Sequence, residues 1–141
     1  MAEEPTTPDL AELNRRLNEA VNRGDFDTAV AMYAADAVYD GSHMDGEVIK
    51  GRDALRGFLE DWFGAYEEWE QVAEEFRDLG NGVGFGAFRQ RARPAGSSGF
   101  VELHSAFVAI VREDGLVERV VLYADIDQAR AAAERLAEER E

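Results

Sequence analysis

The chain contains no cysteine. That excludes disulfides, a thiolate nucleophile, iron–sulfur clusters and cysteine-based zinc sites. Basic residues are the next scarcity: 15 Lys and Arg stand against 30 Asp and Glu, for a formal charge of −15, and Lys50 is the sole lysine. Such a surface repels phosphate, so nucleic acid and anionic membranes are excluded as partners, and the acid is read as a solubility device. No apolar run approaches the ~18 residues of a membrane span, and the first residues have neither the basic nor the apolar region of a secretion signal. A soluble, cytoplasmic protein is the expectation.

What is present is material for a core. The 141 residues are 45% hydrophobic, with 2 Trp, 4 Tyr and 8 Phe, and a chain of this size buries roughly two-thirds of its unfolded surface. Only residues 1–8 are expected to stay unpacked, with 9–141 forming a single domain. Thr7-Pro8-Asp9 marks a helix start with Thr7 as the cap, and Leu10, Leu13, Leu17, Ala20 and Val21 then recur at helical spacing up to Gly24. Asp25 caps a second, short helix, "AADAVYD" turns into a strand, and "KGRDALRGFLEDWFGAY" restores a helical stripe through Trp62 and Tyr66.

From about Trp69 the period changes to two. Gly80-Asn81-Gly82 is a hairpin signal, and "PAGSSG" and "REDG" separate two further strands, so four strands form an antiparallel meander. The alanine-rich tail reads as a helix ending near residue 137. Helices segregated from an antiparallel sheet define an α+β domain.

That order, with "NRGDFDTAVAMYAADAVYDGS", "GRDALRGFLEDWF" and "GLVERVVLYADIDQA", resembles the SnoaL-like branch of the nuclear-transport-factor-2-like superfamily. The superfamily also holds ketosteroid isomerase and limonene epoxide hydrolase, and the likeness spans residues 9 to 132. It implies an α+β cone: a curved antiparallel sheet wrapped around the N-terminal helices, with a C-terminal helix and an apolar pocket inside. It also implies a small apolar organic ligand, homodimers formed through the sheet, and no cofactor. A cofactor-free isomerase or cyclase and a non-catalytic ligand-binding or dimerisation module both live on this scaffold.

The resemblance places Asp40 where ketosteroid isomerases carry their proton-shuttling aspartate, and desolvation in an apolar pocket raises a carboxyl pKa and makes a better base. Asp followed by Gly-Ser is equally ordinary turn chemistry. Asp125 matches the position of an acid–base carboxylate in the cyclases and also suits the cap of the last helix. His104 is the third candidate acid or base, with Glu102 beside it on one strand face; alternation alone leaves open whether that face lines the pocket. Tyr33, Trp62, Phe63, Tyr66 and Tyr123 are candidate ligand contacts, and His43 a candidate pocket rim. Leu17 stands where the isomerases carry an oxyanion-binding tyrosine, which disfavours steroid isomerisation by that machinery. The row Arg89, Arg91 and Arg93 reads as an outer sheet surface balancing neighbouring acids.

Overall fold

The computed structural model describes residues 9–140. Thr7 and Pro8, and the expectation that residues 1–8 are unpacked, lie outside that range. The cap of helix α1 (Leu10–Asn22) is Asp9, whose carboxylate accepts from the Glu12 N–H at 3.1 Å. The helix closes in a Schellman turn: Gly24, at φ 72°, donates to Val21 O and Asp25 N to Ala20 O. Asp25 caps α2 (Phe26–Ala31) through the N–H and hydroxyl of Thr28.

Strand β1 (Tyr33–Asp40) then turns back through Gly41–Glu47 into β2 (Val48–Lys50), a three-residue strand inside a stretch that reads from sequence as irregular. Helix α3 (Arg52–Gly64) stops short of Tyr66, which opens the next strand instead. The meander is β3 (Tyr66–Asp78), β4 (Val83–Pro94), β5 (Val101–Val111) and β6 (Val117–Tyr123), and α4 (Ile126–Glu139) closes the chain two residues beyond the expected end.

The six strands lie in the order β2-β1-β6-β5-β4-β3. The sheet is mixed rather than wholly antiparallel, because β6 inserts beside β1 and runs parallel to it. Helices pack against both faces, α4 over part of one only. On one, α1 and α3 pack with Leu10, Leu55, Leu59 and Phe63 buried among them. On the other, α4 lays Ala129, Ala133 and Ala137 against Val83, Phe85, Ala106 and Val108, and alanine at every fourth position lets the helix approach closely. The β3–β4 turn fastens the far end of α4: Asn81 donates to Ala137 O at 2.8 Å, and Arg140 donates to Asn81 O at 2.9 Å. Gly86, within the glycine-rich "GVGFGAF", makes room for an aromatic ring, since a Cβ there would stand 2.5 Å from Phe107.

Candidate functional site

Between the helical layer and the sheet lies a cavity of about 300 Å³. Leu13 and Leu17 of α1 and Phe58 and Trp62 of α3 form one wall, and Phe76, Phe88 and Phe107 face them from the sheet. Strand parity explains the lining. Along β5 the odd positions, Leu103 through Val111, point into the cavity, and along β4 the even ones do. Trp62 and Leu103 are 40% and 42% exposed, and exposed Glu47 joins them, which marks the mouth.

The polar groups in the lining are chiefly uncharged. Asn18 and Gln71 exchange bonds, Asn18 Nδ2 donating to Gln71 O at 3.0 Å and Gln71 Nε2 to Asn18 Oδ1 at 2.9 Å. Gln90, in register with Gln71 across the β3–β4 ladder, donates to Gln71 Oε1 at 2.8 Å. Ser105, buried, sits nearby on β5. Tyr33 and Tyr39 also line the cavity; burial pushes the Tyr39 phenol up to about 12 and the Tyr33 phenol higher still, so both stay protonated as donors. Glu47 is the sole carboxylate among the described lining residues, and none of them is Asp, His, Lys or Arg.

Of the residues singled out from sequence, Tyr33, Trp62 and Phe63 meet in this lining, as does Leu17. Asp40 does not face the cavity. Its neighbour Tyr39 does, so parity turns Asp40 to the opposite face of the sheet, where its side chain is only 11% exposed. There Ser42 donates its N–H at 2.9 Å and its hydroxyl at 2.6 Å to Oδ1, and Arg119 Nη2 donates to Oδ2 at 3.3 Å. The Ser42 hydroxyl first, then the Ser42 N–H and the Arg119 charge, hold the carboxyl below its ordinary value against the opposing effect of burial. A proton shuttle needs the reverse shift, so the arrangement favours the turn-closing role of Asp40.

His43 and Tyr123 lie on that same outer face, stacked with ring centroids 4.6 Å apart, and neither lines the cavity. Asp125 is the cap of α4, accepting from Gln128 N at 3.0 Å. His104 projects away from the cavity, 57% exposed, with Glu74 and Glu102 at 3.3 and 3.5 Å. Tyr66 packs edge-on against Trp62 outside the lining. The arginine row forms the outer surface, with Arg89 near Glu102, Arg93 paired to Glu67 and Glu68, and Arg91 stacked 3.8 Å over Phe100.

Sequence reasoning passed over Tyr39, Asn18, Gln71 and Gln90. Their signal is position: Asn18 borders the Leu13–Leu17–Val21 stripe, and Gln90 shares the even alternation of Phe88 on a strand whose other face carries arginines.

A direct consequence concerns pH. A carboxyl whose folded pKa is depressed contributes stability that is present above its unfolded pKa and is lost as pH falls through the folded one. Asp40→Asn, which leaves the Ser42 and Arg119 donors facing a neutral amide, is expected to cost about 1–2 kcal/mol at pH 7. In urea titrations the gap should close as pH falls below the folded pKa of Asp40. A gap that persists unchanged in acid would contradict this charge-based account.

The family model described as SnoaL-like domain matches residues 14–120. No protein of curated function matches the sequence. Among solved structures, a Catenulispora acidiphila protein with a ketosteroid isomerase-like fold, in complex with trimethylamine, aligns at TM-score 0.72 and 14% identity over 91% of this chain and 94% of its own. A Mycobacterium tuberculosis protein in complex with estradiol-17β-hemisuccinate aligns at TM-score 0.72 and 21% identity, over 86% and 97%. A Shewanella denitrificans protein proposed to be a SnoaL-like polyketide cyclase aligns at TM-score 0.68 and 13% identity, over 89% and 96%. At these identities the likeness establishes the fold.

Proposed function

Because the chain belongs to the family of SnoaL-like domains, we propose that it is a small-molecule pocket protein that takes up an apolar organic ligand without a cofactor. The observation that carries this reading is the aromatic-lined cavity of about 300 Å³ with its two sequence-nominated aspartates outside it. Its volume is at the lower end of small-molecule pockets, and its balance of apolar wall to few polar groups is typical of them. The estradiol derivative in the Mycobacterium tuberculosis neighbour supports a flat, mostly apolar ligand.

A second reading, a cofactor-free isomerase or cyclase, draws on one observation. Tyr33 and Tyr39, kept protonated by burial, are donors that suit a developing oxyanion. Among the described lining residues the one carboxylate base is Glu47, at the mouth. Binding therefore leads.

Calorimetric titration with 2-methoxynaphthalene tests the pocket. The expected result is saturable binding at one site per chain, with Kd on the order of 10–100 µM for a ligand of this size and a negative heat-capacity change from apolar burial. Heats of dilution alone, up to the solubility limit of the probe, would contradict the pocket reading.

A further inference from the structure

The amide groups in the cavity have fixed polarity. The anchor is the Gln71 backbone carbonyl, which can only accept; it receives Asn18 Nδ2 at 3.0 Å and Asn22 Nδ2 at 2.9 Å, while Gln71 N donates to Asn22 Oδ1 at 2.8 Å. With Nδ2 committed, Asn18 turns Oδ1 toward the Gln71 side chain, which must answer with Nε2. Gln71 then offers Oε1 to Gln90, which must answer with Nε2 in turn. The orientation passes from a backbone atom through three side chains to the last. Gln90 is left with Oε1 turned away from the chain, accepting from no described residue, on a side chain that lines the cavity beside Leu103.

The charge of the rest of the site has the same sense. The hydroxyls of Tyr33, Tyr39 and Ser105 and the Asn14 amide can donate as well as accept, but aromatic faces are negative, the one charged group among the described lining residues is Glu47, an acceptor, and none of them is a cation that could meet a carboxylate. From this we propose that the cavity selects an apolar ligand bearing a hydrogen-bond donor, an alcohol or an amine, which docks its O–H or N–H on the Gln90 side-chain carbonyl. Ethers of the same shape leave that acceptor unpaired, and carboxylates meet Glu47 and the −15 charge with no compensating cation. This deepens the pocket reading above and rests on it.

Three probes of one ring system separate the two. On the intact chain at neutral pH, 2-naphthol should bind roughly five- to tenfold tighter than 2-methoxynaphthalene, the increment of one hydrogen bond in a half-open site, and 2-naphthoate weakest of all. Gln90→Leu, or Gln90→Met should the leucine variant fail to fold, is expected to bring the naphthol and methoxynaphthalene affinities together. If the probes bind the wild type equally, or if the naphthol preference survives in the folded Gln90 variant, the donor proposal is overturned while the pocket stands. If no probe binds, the pocket reading falls and takes this proposal with it.

Discussion

Replacing Phe85 with alanine should lower the unfolding free energy by about 3–5 kcal/mol, the range for deleting a buried aromatic ring from a packed core. Phe85 is fully buried between the sheet and α4, among Val83, Ala106, Val108, Ala129 and Ala133, and the Arg130 guanidinium lies 5.3 Å from its ring centroid. The alanines opposite are too short to collapse into the gap. Against a typical total of about 5–15 kcal/mol, the loss is severe, and the midpoint should fall by roughly 10–20 °C. Thermal melts followed by circular dichroism check it. A drop worth less than about 1 kcal/mol would mean that α4 does not seal this face.

The second large effect is on binding. Ser105 is buried on β5 with its side chain toward the cavity. Ser105→Phe would place a ring in that space, where it meets Phe88 and Phe107 instead of a packed core. Stability should hold, while a ligand in the remaining space pays an overpacking penalty of about 1–3 kcal/mol, weakening 2-methoxynaphthalene binding by up to about 100-fold. Wild-type affinity in the folded variant would place the binding site elsewhere.

The elements were largely legible because each is announced by local chemistry. Asp25 at the start of α2, a left-handed glycine at Gly24, the Gly80-Asn81-Gly82 turn and a period of two through β4 and β5 all have short-range causes, whereas the cap of α1 lies at Asp9, two residues beyond the Thr7 read from sequence. Strand β2 escaped because three residues are too few to show a period, and its pairing depends on the turn at Gly41–Glu47. The parallel pairing of β1 with β6 escaped because nothing local distinguishes it from an antiparallel neighbour.

The site was harder to read for a different reason. One face of β5 looks onto the cavity and the other meets α4 along Ala106 and Val108, so both carry apolar residues and alternation could not say which encloses a ligand. The same ambiguity governs Asp40. The residues that make it a plausible base, an apolar strand before it and a Gly-Ser step after it, are also those that close a turn, and only the inward position of Tyr39 decides. Tyr33, Trp62 and Phe63 were recognisable because large aromatics between the helices and the sheet contribute to the wall whether or not a ligand is present. The amide chain through Asn18, Gln71 and Gln90 joins α1, β3 and β4 across more than fifty residues of sequence and becomes visible only once those elements meet.

The account turns on where a small apolar molecule sits. Intermolecular nuclear Overhauser effects from bound 2-methoxynaphthalene to isotope-labelled protein locate it directly. The expected contacts are to Leu17, Trp62 and Phe107, side chains on opposite walls of the cavity. Contacts confined to Tyr123 and His43 on the outer face of the sheet would contradict it.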